Sequence, residues 1–366
     1  MNLLILTRYD QQGASSRVRF MQYAPYLQAV GFNITLRSLF PDSYLQALYA
    51  GRTTKGTILG GYRRRLKELR AARSGYGVVW LEKEALPWLP WAIEARFLPD
   101  KVPVVVDYDD AVFHNYDLHK RAPVRWLLGT KHAQLMTASA RVFAGNAYLA
   151  EYARVVGAPS VEIIPTVVNT EAYQVSPTAE ETEAPVIGWI GSPSTWLLCV
   201  VPYGDVLRDV ALAFDVNIHA VGARPDADRD GPFQFLPWNE ESEIERIQAM
   251  DIGIMPLPNT PWMRGKCGYK LIQYMACGLP VVASPVGVNT KIVEHGVNGF
   301  LAETPEEWAN ALKTLIDDPE LRQKMGQAGR KRVEERYSLQ VYGPRVASLL
   351  REIAERGKTA PVPRKV

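Results

Sequence analysis

Three aspartates follow a buried-strand pattern in the first half of the sequence. The apolar run Val104 to Val106 is followed by D-Y-D-D-A-V-F-H, which brings Asp107, Asp109, Asp110 and His114 close together. Carboxylates crowded at the end of a strand repel one another unless they cap a helix, bind hydroxyl groups or take part in acid–base chemistry. A divalent cation is another alternative, but no set of partner ligands is evident in the sequence. We predict that Asp109, Asp110 and His114 are catalytic candidates.

Three cations surround two glycines in the second half. The stretch N-T-P-W-M-R-G-K-C-G-Y-K holds Arg264, Lys266 and Lys270 around Gly265 and Gly268, at the start of a helical pattern. Free backbone N–H groups at a helix start, together with lysine and arginine, can neutralise a diphosphate. A solvated basic turn is the alternative. The glycines and the acidic surroundings favour the anion site.

Two further glycine-containing loops follow strand patterns, Y-D-Q-Q-G-A-S-S-R and G-S-P-S-T-W. The residues of these loops that we assign to anion binding are Gly13, Ala14, Arg17, Gly191, Ser192 and Ser194. Small residues before a helix let the backbone approach a phosphate closely. Tight turns with serine N-caps are the structural alternative, supported in the second loop by Pro193.

Short apolar runs alternate with helical patterns along the chain, which is typical of parallel sheets covered by helices. Six strand patterns lie at 3–6, 34–36, 78–81, 104–106, 142–143 and 161–164. Five more lie at 186–190, 217–221, 233–236, 252–255 and 280–283. Ligands of such folds bind at the carboxyl ends of strands, where the loops described above lie.

The two series of strands predict two doubly wound, Rossmann-like domains facing a central cleft. We place the acceptor-binding domain at residues 1–170 and the donor-binding domain at 185–337. The acidic stretch between them, which contains Pro177, predicts an interdomain linker. A helix at 338–356 that packs on the first domain, and a flexible tail at 357–366, complete the chain.

The net charge of +3 conceals an uneven distribution along the chain. Residues 1–175 carry +7, residues 176–319 carry −11 and residues 320–366 carry +7. The small total argues against a dedicated nucleic-acid-binding protein, and no nucleic-acid-binding motif accompanies the charge. A basic terminal helix after an acidic domain suggests that this helix packs back on the basic first domain.

One helical pattern in the first domain carries a dense group of cations. They are Arg63, Arg64, Arg65, Lys67, Arg70 and Arg73. Such a helix suits the anionic surface of a membrane, and a solvated helix face is the alternative.

Three cysteines without a C-x-x-C pair indicate neither a disulfide framework nor a zinc site, and they favour a reducing compartment. No stretch approaches the ~20 apolar residues of a membrane span, and the short N-terminal apolar run does not suit a secretory signal. We expect a cytoplasmic protein, with peripheral contact at the inner face of the membrane.

The second half contains several longer motifs. The most specific are Y-K-L-I-Q-Y-M-A-C-G-L-P-V-V-A-S-P-V-G at 269–287 and I-V-E-H-G-V-N-G-F-L-A at 292–302. D-I-G-I-M-P-L at 251–257, I-I-P-T-V-V-N-T-E-A-Y at 163–173 and A-G-R-K-R-V-E-E-R-Y-S at 328–338 accompany them. Through these motifs the chain resembles, nearly end to end, the family 4 (group 1) retaining glycosyltransferases of the GT-B fold.

The resemblance implies retaining transfer of a sugar from a nucleotide diphosphate donor, held mainly by the second domain, to an acceptor held mainly by the first. It also implies that the last helix returns to the first domain. The residues that it adds to the donor site are Cys267, Gly268 and Tyr269, through their backbone amides. The nucleoside contacts that we expect are Leu236, Trp238 and Gln273.

The sequence departs from this family at two positions. The family places one glutamate on the donor sugar and a second, eight positions later, on the ribose hydroxyls. Aligned on M-A-C-G-L-P, those positions are Gly265 and Gln273, so both carboxylates are missing. Gln273 can still form a hydrogen bond to a ribose, though more weakly than a carboxylate. We expect Arg264, Lys266 and Lys270 to supply the cationic charge at the diphosphate.

We therefore predict a metal-independent, cofactor-free transferase of hexosyl or deoxyhexosyl groups. Its acceptor would be a glycan, a lipid-linked glycan or another cell-envelope or secondary-metabolite precursor. Lys266 would stabilise the leaving diphosphate, and Asp110, His114 or the departing phosphate would take up the acceptor proton. The alternatives are a GT-B sugar-nucleotide epimerase and a catalytically impaired partner protein that only binds sugar nucleotides. A nicotinamide dehydrogenase is disfavoured because the full dinucleotide fingerprint is absent.

Overall fold

The structure is a computed structural model that describes residues 1–52, 54–175, 185–224 and 231–356. The chain divides into two compact units. Unit 1 comprises Met1–Thr166, Gly265–Cys267 and Tyr342–Val366, and unit 2 comprises Val167–Arg264 and Gly268–Val341. The predicted tail at 357–366, and residues 176–184 of the predicted linker, lie outside the described residues.

Unit 1 contains a six-stranded parallel sheet with the strand order β2-β1-β3-β4-β5-β6. Its strands are β1 (Asn2–Tyr9), β2 (Asn33–Phe40), β3 (Val78–Glu82), β4 (Val104–Tyr108), β5 (Arg141–Ala144) and β6 (Val161–Ile163). Strands β3 and β4 are buried along their whole length, as expected for the centre of a sheet covered on both faces. All six strands predicted for the first half are confirmed.

In the described part of unit 1, nine helices connect these strands. They are α1 (Ala14–Arg19), α2 (Ala24–Ala29), α3 (Asp42–Tyr49), α4 (Lys55–Ala71), α5 (Trp91–Phe97), α6 (His114–Asp117), α7 (Ala122–Leu128), α8 (Lys131–Ala138) and α9 (Ala147–Val155). A 3₁₀ turn at Met21–Tyr23 separates α1 from α2, and Gly129 and Thr130 separate α7 from α8. The stretches 14–29 and 122–138 are therefore each divided into two helices.

Unit 2 contains a second six-stranded parallel sheet, with the order β12-β11-β10-β7-β8-β9. Its strands are β7 (Ile187–Ile190), β8 (Ile218–Val221), β9 (Phe233–Leu236), β10 (Ile252–Met255), β11 (Val281–Ala283) and β12 (Gly299–Leu301). Five of them match the predicted strands. The prediction missed β12, whose residues Gly299, Phe300 and Leu301 include a glycine and no β-branched side chain.

Two hydrophobic cores fill unit 2, one on each face of its sheet. Ile190 and Met255 belong to the core that contains Leu271, whereas Trp189 and Ile254 belong to the core that contains Trp308. Neighbouring residues of a strand thus enter opposite cores, as the alternation of side chains along a strand requires. Burial on both faces explains why these strands read as continuous apolar runs.

In unit 2, a π-helical turn (Trp196–Val200) and a 3₁₀ turn (Val201–Tyr203) separate the first two helices. The helices are α10 (Pro193–Thr195), α11 (Gly204–Phe214), α12 (Glu243–Gln248), α13 (Pro261–Arg264), α14 (Tyr269–Ala276), α15 (Asn289–Ile292), α16 (Pro305–Asp317) and α17 (Pro319–Arg336). The last helix, α18 (Leu339–Arg356), begins in unit 2 and belongs to unit 1 from Tyr342 onward. The two doubly wound domains and the returning helix were predicted from the sequence.

Candidate functional site

Each aspartate at the carboxyl end of β4 pairs with a cation from a different segment of unit 1. The pairs are Arg19–Asp107 at 2.9 Å, Lys83–Asp109 at 2.8 Å and Lys266–Asp110 at 2.9 Å. Three neighbouring carboxylates are therefore tolerated because three cations compensate their charge. Within the described ranges, no group of three or more histidine, cysteine, aspartate or glutamate side chains is arranged to hold a metal ion.

Asp109 accepts two strong hydrogen bonds. Its Oδ1 faces the ammonium group of Lys83, and its Oδ2 accepts from the hydroxyl of Ser15 at 2.5 Å. Burial alone would raise the pKa of Asp109, but the positive charge of Lys83 outweighs it and lowers the pKa to about 2. Asp109 is therefore ionised at neutral pH, and it positions Lys83 and Ser15 instead of supplying a proton.

Lys83 has an unusual backbone conformation. Its φ of +60° lies in the left-handed region, which a residue with a side chain adopts at a cost of about 1–3 kcal/mol. The Nζ atom of Lys83 also donates to Ser15 Oγ at 3.3 Å. Burial lowers the pKa of Lys83, but Asp109 and Glu82 raise it to a net value above normal, so the charge is retained.

Asp110 and Lys266 form the most exposed of the three pairs. Their side chains are 22% and 23% exposed, whereas both members of the Arg19–Asp107 pair are 1% exposed. Burial lowers the pKa of Lys266, but the carboxylate of Asp110 more than compensates, and the pKa is raised. Lys266 thus carries a charge that an anion in solvent can reach.

The loop Gly265–Cys267 is fixed within unit 1 by Asn146. The amide Nδ2 of Asn146 donates to the carbonyl oxygens of Gly265 at 2.9 Å and Lys266 at 3.0 Å. The thiol of Cys267 donates to the carbonyl oxygen of Asp109 at 3.1 Å, and burial raises its pKa. Of Cys267, the backbone is the part that remains a candidate for donor binding, as predicted.

Gly265 has no room for a side chain. A Cβ atom at this position would lie 2.4 Å from Cβ of Ala111 and 2.7 Å from its backbone nitrogen. This steric limit gives a physical reason for the absence of the first family glutamate at position 265.

His114 forms hydrogen bonds through both ring nitrogens. Nδ1 lies 2.9 Å from Asp117 Oδ1, and Nε2 lies 2.8 Å from the hydroxyl of Tyr148. A proton-transfer role for His114 would require one of these bonds to open. That role remains a prediction.

The first glycine loop is a tight turn at the end of β1. A Cβ atom at Gly13 would lie 2.4 Å from Cβ of Tyr9, so the turn requires glycine. Ala14 begins α1 and is exposed, and Arg17 donates to the carbonyl oxygen of Gln11 at 3.0 Å. The N-cap is Gly13 and not a serine, because α1 begins at Ala14 and Ser16 is its third residue. The hydroxyl of Ser16 donates to Glu82.

The basic helix pattern corresponds to α4, and one of its cations was wrongly assigned to the surface. Arg65 is 1% exposed; it donates to the carbonyl oxygen of Thr7 at 2.6 Å and pairs with Glu68 at 3.2 Å. Arg65 lies on a different face of α4 from the exposed cations, and this position accounts for its burial. The exposed cations of the pattern are Arg63, Arg64, Lys67, Arg70 and Arg73. None of the helices in the described part of the chain is long and apolar enough to cross a bilayer.

In unit 2, the second glycine loop contains a capping box. Ser192 Oγ accepts from the backbone nitrogen of Thr195, and Thr195 Oγ1 accepts from that of Ser192. Ser194 Oγ lies 3.1 Å from Ser192 Oγ. The capping alternative therefore describes Ser192, and any binding role of its hydroxyl would compete with this cap.

Three predicted donor-site segments of unit 2 meet at Gly191. A Cβ atom there would lie 2.9 Å from Cε of Lys270, and one at Gly222 would lie 2.2 Å from the carbonyl oxygen of Gly191 and 3.2 Å from Cβ of Trp238. The ammonium group of Lys270 lies 5.5 Å from the ring centre of Trp189. The backbone nitrogen of Gly222 donates to the carbonyl oxygen of Leu236. The carboxyl ends of β7, β8 and β9 thus bring Gly191, Lys270, Leu236 and Trp238 together.

Gln273 joins this group through a buried network. Its amide Nε2 donates to Glu243 Oε1 at 2.8 Å and to the hydroxyl of Tyr173 at 2.8 Å. The indole nitrogen of Trp238 donates to Glu243 Oε2 at 2.8 Å. A carboxylate at position 273 would face that of Glu243, so an amide suits this position better than the second family glutamate.

The helix α14 begins at a glycine in the left-handed conformation. Gly268 has a φ of +67°, and no side chain caps the first turn, which contains Tyr269 and Lys270. Arg264, the third predicted cation, is exposed, and its Nε atom donates to Asn259 at 2.8 Å. The start of α14 therefore presents backbone N–H groups next to a lysine, the arrangement that binds phosphate.

Sequence reasoning missed Lys83, Ser15, Glu243 and Tyr173. Lys83 comes two residues after the predicted strand 78–81 and directly after the observed strand β3, so its place at a strand end was a usable signal. Glu243 had no such signal, because its partners Tyr173 and Gln273 are distant in sequence and only the fold brings them together.

The sequence model of "Glycosyl transferases group 1" matches residues 233–332. A D-inositol 3-phosphate glycosyltransferase of Thermobispora bispora is 34% identical over 118 residues, which are 31% of this chain and 26% of that protein. The chain thus spans about a quarter of the length of this curated relative.

Solved structures share the whole fold. Sucrose-phosphate synthase from Thermosynechococcus elongatus superposes with a TM-score of 0.72 at 15% identity, covering 97% of this chain and all of that one. The Anabaena protein HepE, crystallised with UDP and glucose, gives a TM-score of 0.68 at 17% identity over 96% of this chain and all of that one.

Proposed function

We propose that this chain, a GT-B protein with the group 1 glycosyltransferase segment at residues 233–332, transfers a sugar from a nucleoside diphosphate to an acceptor. The observation that carries this proposal is the start of α14 inside that segment. Gly268 opens a helix whose first turn has no side-chain cap, with Lys266 and Lys270 two residues away on either side in sequence. A diphosphate is the ligand that this combination of helix dipole and cations fits best.

We assign the donor to unit 2 and the acceptor to unit 1. In unit 2, Gly191, Lys270, Trp238 and Gln273 are brought together at the carboxyl ends of the strands, where ligands of doubly wound sheets bind. HepE was crystallised with UDP and with UDP-glucose, which supports a nucleotide-sugar donor.

In this mechanism fixed positive charges stabilise the leaving diphosphate. Negative charge develops on the β-phosphate oxygen as the glycosidic bond breaks, and preorganised N–H groups and ammonium groups stabilise it. Lys266 and Lys270 supply this stabilisation without a metal ion in our proposal. Asp110 is the acceptor-side base candidate that solvent reaches most easily, and His114 and the departing phosphate are the others.

We propose retention of anomeric configuration and an acceptor that is a glycan, a lipid-linked glycan or a related envelope or secondary-metabolite precursor. The free, buried thiols of Cys199, Cys267 and Cys277 support action in a reducing compartment, the cytoplasm. The exposed cations of α4 support contact with an anionic membrane surface at its inner face.

A nucleotide screen followed by a matched pair of lysine variants tests this proposal. We expect at least one of UDP, GDP, ADP and dTDP to raise the melting midpoint, because a ligand of the folded state stabilises it by mass action. With the sugar nucleotide so identified, Lys266→Ala should lower turnover by about 100-fold, since it removes a charge that acts in the transition state.

The control is Lys313→Ala, which removes an exposed lysine from α16. Near-normal turnover of the Lys266 variant, with the control unchanged, would refute the role of Lys266. Interconversion of one sugar nucleotide without any acceptor would show an epimerase, and binding without turnover across acceptors would show a non-catalytic binding protein.

A further inference from the structure

The segment Leu118–Leu127 of unit 1 exposes three large apolar side chains. Trp126 is 86% exposed, Leu118 is 58% exposed and Leu127 is 51% exposed. Single exposed apolar residues are common, but large ones concentrated on one short segment mark an interaction surface. This segment lies outside the candidate site residues.

The exposed side chains are held on a fixed support. Leu128, at the end of α7, is buried, and the guanidinium of Arg125 donates to the carbonyl oxygens of His119 at 2.6 Å and Lys120 at 3.1 Å. These bonds tie the connection between α6 and α7 to α7 itself. The apolar residues are therefore presented by a positioned turn and helix.

Basic residues lie between Leu118 and Trp126. Lys120, Arg121 and Arg125 are exposed, and among the residues that the structure describes none forms an ion pair with them. The sequence contains no aspartate or glutamate from Leu118 to Ala150. The surface thus carries a local positive charge that calls for an anionic partner.

Trp88 extends this surface at its edge. It is 51% exposed, and its ring contacts those of Tyr116 at 5.1 Å and His119 at 6.1 Å between centres. Tryptophan is favoured where apolar and aqueous surroundings meet, as at the headgroup level of a bilayer.

We propose that Leu118–Leu127 is a docking site for an anionic lipid bilayer. Trp126, Leu127 and Leu118 enter the boundary between headgroups and acyl chains, and the three cations contact lipid phosphates. A symmetric pair of copies would bring three cations against three cations, which disfavours self-association through this face. The surface differs from α4, where the exposed residues are mainly charged and a bilayer could be contacted by electrostatics alone.

Vesicle sedimentation of the full chain tests this proposal, and it needs no sugar transfer. The chain should sediment with vesicles of phosphatidylcholine and phosphatidylglycerol and much less with phosphatidylcholine alone. Trp126→Ser with Leu127→Ser should lower the partition coefficient at least tenfold, because burial of both side chains in the interface is lost. Replacing Lys120 or Arg121 by glutamine should lower it roughly fivefold each.

Leu212→Ser is the matched control, since Leu212 is 68% exposed on α11 of unit 2 and should leave sedimentation unchanged. Unchanged melting midpoints verify folding of all variants. Equal sedimentation of the Trp126 and Leu127 variant and the unaltered chain overturns the proposal, as does failure of the unaltered chain to bind anionic vesicles. Dimers in lipid-free solution that the double substitution abolishes would show that a second copy covers this face instead.

Discussion

The two units differ in how polar and charged side chains are arranged at the carboxyl ends of their strands. In unit 1, three aspartates after β4 are compensated by Arg19, Lys83 and Lys266, and the first two of these pairs lie largely away from solvent. In unit 2, the corresponding edge consists of glycines in close contact, aromatic rings and one carboxylate, Glu243, that accepts from neutral donors.

This difference distinguishes two ways of arranging charge at a strand end. The buried pairs Arg19–Asp107 and Lys83–Asp109 are neutral as groups, so they fix geometry and offer little net attraction to an anion. Lys266, whose pair with Asp110 is partly exposed, is the cation of these three pairs that an anion in solvent can reach. Unit 2 places Lys270 beside glycine backbone, and ion pairs of unit 2 such as Arg332–Glu294 lie at the surface.

The largest expected effect follows from breaking the pair of Arg19 and Asp107. Asp107→Ala leaves the guanidinium of Arg19 buried without its carboxylate, and we expect a loss of about 3–5 kcal/mol in the free energy of unfolding. Urea titration followed by circular dichroism measures this loss.

A paired replacement distinguishes lost charge compensation from lost packing. Arg19→Met with Asp107→Leu removes both charges, and it should recover most of the lost stability. If Asp107→Ala is as stable as the unaltered chain, the pair does not hold unit 1 together and the contrast with unit 2 fails.

A smaller effect is expected from His132, a buried residue of α8 in unit 1. His132 Nδ1 bonds to the hydroxyl of Tyr108 at 2.9 Å, and Glu84 and Lys131 lie nearby. Burial lowers the pKa of His132 to about 4, although Glu84 raises it and Lys131 lowers it further.

Because the folded pKa lies below the unfolded value of about 6.5, the unfolded state binds the proton first as pH falls. The stability contribution of His132 is present above pH ~6.5 and is lost as pH falls towards ~4, by at most about 3 kcal/mol. Urea titrations across this pH range should show that the free energy of unfolding depends less steeply on pH in His132→Asn than in the unaltered chain. An unchanged pH dependence would mean that His132 is not the titrating group.

The smallest effect is expected in unit 2 from Gln273→Glu. This change replaces a donor to Glu243 by a second carboxylate, and we expect a loss of about 2 kcal/mol at neutral pH, since a hydrogen bond to a charged group is removed. Thermal unfolding measures it. Glu243→Gln in the same chain should restore stability, and full stability of the single variant would contradict the account of Gln273.

The strands, and their grouping into two successive domains along the chain, were accessible from the sequence. Strands that are buried on both faces require continuous apolar runs, which can be read in the sequence. The pairs that compensate Asp107, Asp109 and Asp110 were not, since Arg19, Lys83 and Lys266 come from three distant segments. A strand pattern identifies what stands at a sheet edge, whereas only the assembled fold determines what faces it.

The departures from the family glutamates were visible in the sequence, but their cause was not. Gly265 excludes a side chain because the backbone at Ala111 is too near, and Gln273 suits its neighbour Glu243. Both reasons depend on residues far away in sequence. Arg65 shows the same limit, since a run of cations on a helix does not reveal which one faces inward.

Membership of α18 in unit 1 has a consequence for how the protein is made. The buried Leu350 and Ala354 belong to a unit whose sheet ends with β6, yet about 175 residues separate Thr166 from Tyr342. At usual translation rates the ribosome needs roughly ten to thirty-five seconds to add them. During that interval the nascent first unit must wait with part of its apolar surface uncovered, until the last helix leaves the ribosome.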